Sequence, residues 1–199
     1  MSEQIRAFIA IEMPDEIRAG LSSLQAKLRP GQHPYVKWVH PEGIHLTLKF
    51  LGNIRRDQVS PIEEAISQAS TGISPFQLQL GGLGAFPNLG RPRVVWVAMT
   101  GDLERLAALQ RGIEQALVPL GFARESRPFA PHLTLGRLRE RASPEERKRI
   151  GETVEATEPE DTAAMEAREV SLMRSTLTPR GAIYDCIATV ELSSSLPTS

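Results

Sequence analysis

A single cysteine, two tryptophans and two tyrosines are all that 199 residues hold of those side chains. The lone cysteine, Cys186, excludes an internal disulfide framework and any cysteine-rich metal site. Its setting, Tyr184-Asp185-Cys186-Ile187-Ala188, reads as a strand in which the thiol is a small buried hydrophobe. Basic excess is missing too: 23 Lys and Arg stand against 24 Asp and Glu, so bulk charge cannot coat a nucleic acid with this chain. With aromatics at 5%, extended base-by-base reading of RNA is excluded as well. No apolar run is long enough to cross a bilayer, and no basic stretch followed by an apolar one opens the chain. The expectation is a soluble cytoplasmic monomer that holds any polyanion at a local site, without a membrane partner.

What the chain does have is a repeat. His45-Leu46-Thr47-Leu48 returns as His132-Leu133-Thr134-Leu135. Side chains alternate faces along a strand, so each copy buries its two Leu and presents its His and Thr. The flanks recur as well. Phe50-Leu51-Gly52, a charged turn and Ser60-Pro61-Ile62-Glu63-Glu64 follow the first copy; Gly136-Arg137-Leu138, a charged turn and Ser143-Pro144-Glu145-Glu146 follow the second. Ser as N-cap, Pro at the first helical position and early acids form a helix start. A whole strand–turn–helix unit is therefore duplicated, and two such strands side by side would bring both imidazoles and both hydroxyls into one cleft.

The remaining pattern fits around this pair. Ile5 to Ile11 is β-rich, and Ile17, Leu21, Leu24 and Leu28 mark a helix that Arg29-Pro30-Gly31 stops. Val36 to Val39 is a short strand, His33 lies in the loop before it and His40 in the turn after it. A helix over Pro61–Ala69 leads to an alternating strand, Phe76–Leu83, and the Gly84–Arg93 segment reads as an ordinary hairpin connection into Val94–Ala98. Asp102 caps a helix whose Leu103, Leu106, Leu109, Ile113 and Leu117 face the core. Helix Pro144–Val154, an acidic loop Thr157–Asp161 and two strands, Ala167–Arg174 and Ala182–Leu192, joined by a turn over Ser175–Gly181, complete the chain. The class is α+β, with two pseudo-symmetric lobes of antiparallel sheet facing a central cleft, helices outside, and residues 1–199 as a single bilobal domain.

Two imidazoles in one cleft can do general acid–base chemistry without a metal, because neutral and charged imidazole coexist near neutral pH. Threonines beside them can hydrogen-bond phosphoryl oxygens, and Arg137 at the end of the second motif strand can supply a cation. Phosphodiester cleavage needs this set: a proton in, a proton out and donors for nonbridging oxygens. A metal site is the poorer reading, since neither His has Cys, Asp or Glu at ligand spacing.

The paired motifs, together with Arg6-Ala7-Phe8-Ile9-Ala10, Trp38 and the runs His45 to Gly52 and His132 to Arg137, resemble the RNA 2′,3′-cyclic phosphodiesterases (2′-5′ RNA ligases) of the two-histidine phosphoesterases. That resemblance implies metal-independent hydrolysis of an RNA 2′,3′-cyclic phosphate to a 2′-phosphomonoester, with no cofactor, and the reverse 2′-5′ ligation at the same site. It implies His45 as proton donor to the leaving 3′ oxygen, His132 as the base on water, and Thr47, Thr134 and Arg137 on the phosphate. Phe8 and Tyr184 carry over as base-stacking or cleft residues, with core packing as the competing reading. Small cyclic or 2′-5′-linked nucleotides as substrates, or a non-catalytic RNA-end binder, are the alternatives.

Overall fold

A computed structural model describes residues 4–31, 34–159, 163–179 and 181–194. His33, part of the Thr157–Asp161 loop and Arg180 of the last turn lie outside the described residues. In chain order the elements are β1 (Gln4–Glu12), α1 (Asp15–Leu28), β2 (Val36–Trp38), β3 (His45–Arg55), α2 (Val59–Ser70), β4 (Phe76–Phe86), β5 (Val94–Gly101), α3 (Leu103–Leu117), β6 (His132–Leu138), α4 (Pro144–Ala156), β7 (Ala164–Ala167), β8 (Glu169–Thr178) and β9 (Gly181–Glu191).

The helices start for local reasons. At α4 the Ser143 hydroxyl accepts from the Glu146 amide and the Glu146 carboxylate accepts from the Ser143 amide, a reciprocal cap with Pro144 at the first position. Asp102 caps α3 by accepting from the Arg105 amide. The expected twin cap at Ser60 is not formed. The 3₁₀ turn Arg56–Gln58 runs straight into α2, so the helix begins at Val59 with Gln58 in the capping position. Pro61 is tolerated there because the first turn has no intrahelical acceptors for its amides.

All strand pairs between the named strands are antiparallel. One sheet has the order β3-β1-β8-β9, the other β2-β6-β5-β4-β7. The repeat is now visible as β1-α1-β3-α2 and β5-α3-β6-α4. In each sheet the motif strand pairs with the first strand of its own unit, which pairs with β8 or β4, which pairs with β9 or β7. The two motif strands are not ladder neighbours: β3 edges the first sheet, β6 lies inside the second, and they meet across the seam with Cα atoms within 8 Å.

The helices exchange partners. α1, from the first unit, packs on β7 of the second sheet, and α3, from the second unit, packs on β3 of the first; α2 covers β9 and α4 covers β4. Ile9, Leu46 and Ile62 consequently join Leu78, Val97, Leu133 and Leu135 in one continuous core cluster. Each such fully buried aliphatic side chain stabilises by about 1.5–3 kcal/mol. Several strand bounds differ from the sequence pattern: β5 runs on to Gly101, and β8 runs to Thr178, through most of the turn expected over Ser175–Gly181. β4 extends through Phe86, leaving 87–93 as the connection to β5, and the strand read from Ala167 is two, β7 and β8. Cys186 is exposed, not buried: β9 is the outer strand of its sheet, and its register with β8 slips at Ile187 beside the cysteine.

One ion pair lies inside this packing. Lys49 Nζ is 2.8 Å from Glu114 Oε2 and donates to the Ala123 carbonyl at 2.6 Å, with the two side chains 6% and 10% exposed. The same carboxylate accepts from the Glu125 amide. Motif strand β3, helix α3 and the segment leading to the second motif are thereby tied together. Lys49→Met leaves a buried carboxylate without its cation, and the expected loss is about 3–5 kcal/mol of unfolding free energy in urea melts. Lys49→Met with Glu114→Leu should lose less than Lys49→Met alone, since no charge is then stranded.

Candidate active site

Each motif strand carries a bulge at the same motif position. In β3, Thr47 faces Ala10 and Lys49 faces Ile9, so Leu48 has no partner on β1. In β6, Thr134 faces Trp96 and Gly136 faces Val95, so Leu135 has no partner on β5. A bulge adds one residue to a strand and resets its alternation. Accordingly Leu48 and Lys49 are both buried, and so are Leu135 and Gly136; Phe50 and Arg137 are the exposed residues that follow. Strict period two would have aimed Lys49 and Gly136 with the histidines. The bulge brings Arg137 and Phe50 to that side instead.

The two imidazoles are held alike. His45 Nδ1 is 3.1 Å from the Gly43 carbonyl oxygen, and His132 Nδ1 is 2.7 Å from that of Ala130, in each case two residues upstream. A carbonyl only accepts, so Nδ1 carries the proton and Nε2 is left for the reaction. Aromatic rings fix the planes. His45 stacks on Phe8 with centroids 4.5 Å apart and meets the edge of Tyr184 at 4.9 Å. His132 meets Phe86 edge-on at 4.9 Å and Trp96 at 6.2 Å. Trp96 can lie there because Gly84, opposite it on β4, has no Cβ to collide with the indole.

The surroundings of His45 act on its charge. Burial pushes the His45 pKa down to about 4; the Gly43 hydrogen bond and the Glu12 carboxylate oppose this, and the Arg137 guanidinium adds to it. Glu12 sits directly across from His45 in the β1–β3 register and accepts from the Ser171 hydroxyl at 2.8 Å. That Arg137 acts on His45 at all joins the two lobes electrostatically: the cation comes from β6 and the imidazole from β3.

Among the residues singled out from sequence, His45, Thr47, His132 and Thr134 are all half-buried on the non-core side of their strands, while Leu46, Leu48, Leu133 and Leu135 are buried. Phe8, only 3% exposed, is the seat of His45. Tyr184 is half-buried against both rings, 5.4 Å from Phe8. His40 is exposed beside Glu42, a surface turn residue as its X-Pro setting indicates. The sequence reading missed Phe50, 70% exposed and 6.2 Å from the Phe8 ring, and missed Phe86, Trp96 and Glu12. One signal for Phe50 was available: aligning His45-Leu46-Thr47-Leu48-Lys49-Phe50 on His132-Leu133-Thr134-Leu135-Gly136-Arg137 pairs it with the arginine. Among the described residues no group of three or more His, Cys, Asp or Glu side chains could hold a metal ion together, and no helix is long and apolar enough to cross a membrane.

Comparison with known proteins agrees with this geometry. The LigT like Phosphoesterase family profile matches residues 11–96 and 98–184, one stretch around each motif. An RNA 2′,3′-cyclic phosphodiesterase from Methanothermobacter thermautotrophicus is 35% identical over 181 residues, 91% of this chain and 95% of that one. One from Archaeoglobus fulgidus is 37% identical over 182 residues, 90% and 96% of the two chains. Among solved structures, E. coli LigT complexed with 3′-AMP superposes with a TM-score of 0.77 at 25% identity, over 96% of this chain and 99% of that one. A family profile over both halves, shared architecture and near full-length similarity give one conclusion: this chain belongs to the LigT-like phosphoesterases, the family of the RNA 2′,3′-cyclic phosphodiesterases.

Proposed function

We propose that the protein opens the 2′,3′-cyclic phosphate at an RNA end to a 2′-phosphomonoester by proton transfer between its two histidines, without a metal or cofactor. The observation that carries this reading is the matched pair of imidazoles, each with Nδ1 tied to the carbonyl two residues upstream and Nε2 left free. In the forward reaction His132 Nε2 takes a proton from water as its oxygen attacks phosphorus. The bond from phosphorus to the 3′ oxygen breaks, and the His45 imidazolium returns a proton to that oxygen. Thr47 and Thr134 donate to the nonbridging oxygens, and Arg137 balances the charge that grows on them. Replacing water with the 5′-hydroxyl of a second RNA gives a 2′-5′ bond by the same proton movements.

The buried setting of His45 has a kinetic consequence. As proton donor, His45 must be an imidazolium. At neutral pH the free protein keeps His45 neutral, and the anionic phosphodiester brings in the charge that favours its imidazolium. The recognised unit is the terminal nucleotide: the exposed Phe50 ring lies within reach of a base, and the chain's near-neutral charge offers no long track for an RNA body. The related E. coli protein has been crystallised with 3′-AMP, with ATP and with the dinucleotide NADP+, which supports a site that takes mono- and dinucleotides.

Two outcomes are expected. His45→Ala and His132→Ala should each lower kcat on an RNA ending in a 2′,3′-cyclic phosphate by about 10²–10⁴-fold, the usual worth of a general acid or base. Product-analogue binding should change little, and wild-type activity should persist in EDTA; loss of activity in EDTA would refute the metal-free mechanism. In NMR titrations of the free protein His45 should titrate near pH 4, well below an ordinary imidazole. Phe8→Ala, which opens the ring to water, should move that midpoint upward.

A further inference from the structure

The side of α1 that faces inward is made of Ile17, Leu21, Leu24 and Leu28, with one amide among them. Gln25 is 2% exposed. A primary amide buried without partners costs on the order of 2–7 kcal/mol, so its hydrogen bonds decide why it is tolerated. Its Nε2 donates to the Val39 carbonyl at 2.7 Å and to the Leu135 carbonyl at 2.9 Å. Leu135 is the bulged residue of the second motif, and its carbonyl also accepts from the Val39 amide at 2.9 Å. A helix of the first unit therefore closes a three-group knot around the bulge of the second, 110 residues away in sequence.

The bulge decides what β6 presents. With Leu135 extruded from the ladder, Gly136 is buried and Arg137 emerges beside His132 and Thr134. Were the bulge to relax, alternation would put Gly136 on the histidine side and turn Arg137 to the other. A bulge can migrate along its strand at small cost unless a group outside the sheet marks its position, and Gln25 is such a group. The first motif has a looser counterpart. Gln110 of α3 is buried, donates to Glu114 Oε1 at 3.3 Å and approaches the carbonyl of the bulged Leu48 at 3.5 Å, where the Lys49–Glu114 pair provides the firm tie. In both units a glutamine from the exchanged helix is aimed at the bulge carbonyl of the other unit's motif.

We propose that Gln25 is a positioning residue: by holding the Leu135 bulge it keeps Arg137 on the same side as His132 and Thr134, facing His45 across the seam. The structural part of this stands on the geometry above, and its effect on turnover rests on the phosphodiesterase reading. The test separates them. Gln25→Met keeps length and removes both donors; Gln25→Asn keeps an amide one methylene short of the bulge and serves if the first variant does not fold. Leu24→Ala, on the same helix with no bond to the bulge, controls for loss of stability.

In the free protein the His45 titration reads the placement of Arg137, since Glu12, the other charge acting on that ring, lies on β1 and is untouched. Arg137→Ala should shift the His45 midpoint upward. Gln25→Met should shift it the same way, the double variant should shift it no further, and Leu24→Ala should leave it in place. Exchange of the Val39 amide should quicken in Gln25→Met. With a cyclic-phosphate RNA, kcat/KM should fall about 10–100-fold in Gln25→Met, the scale of a misplaced contact group, and less than twofold in Leu24→Ala when both are assayed well below their melting temperatures. A Gln25→Met protein that melts earlier but keeps the wild-type His45 midpoint overturns the proposal and leaves Gln25 a packing residue. A wild type that is inactive on the RNA while the midpoints shift as stated overturns the phosphodiesterase reading alone.

Discussion

Everything in this fold depends on the burial of each unit's first helix against the other unit's sheet. α1 leaves β1 and packs on β7, and α3 leaves β5 and packs on β3. Neither unit can bury its apolar stripe alone, which is why one core cluster runs from Ile9 through Leu135. The exchange costs nothing in local structure, because an amphipathic helix needs only an apolar surface of the right shape. What it gains is rigidity across the seam. Two sheets that would otherwise slide past each other are pinned by helices rooted on opposite sides, and the paired His-x-Thr strands meet at that seam.

The pseudo-symmetry sets up the chemistry and its breaking supplies the roles. Equivalent bulges at Leu48 and Leu135 present equivalent positions, and these hold Phe50 on one side and Arg137 on the other. One offers a flat apolar surface and the other a bidentate cation, matching the base and phosphate ends of the nucleotide proposed as substrate. The histidines diverge in the same way. His45 lies against Phe8 and Tyr184 and is pushed toward its neutral form; His132 has only edge contacts with Phe86 and Trp96.

The legible parts of the sequence were those fixed by neighbours in the chain. Period-two alternation over His45–Leu48 and His132–Leu135 determined which side chains are buried, because a strand leaves no other choice. The Ser143-Pro144-Glu145-Glu146 cap and the leucine faces of α1 and α3 were equally local, and they appear where the pattern placed them, except that Leu103, expected on the core face, opens α3 39% exposed. The Ser60 cap did not form, although its letters match, because the preceding turn already ran as helix. Cys186 looked buried by residue type, yet its strand ends the sheet, and strand order is not written in a five-residue window.

Arg137 shows where the boundary lies. As a residue following a motif it was an evident candidate, but strict alternation would have turned it away from the histidines. The sequence by itself determined the two His-x-Thr strands, their buried leucines and the helices that follow them, since those depend on spacing within a few residues. Only the tertiary structure decided which sheet each helix covers, where the two bulges fall, and that Arg137 rather than Gly136 emerges on the side of His132 and Thr134. Those outcomes depend on contacts such as that of Gln25 with the Leu135 carbonyl, made between residues more than a hundred positions apart, and such contacts leave no periodic trace in the chain.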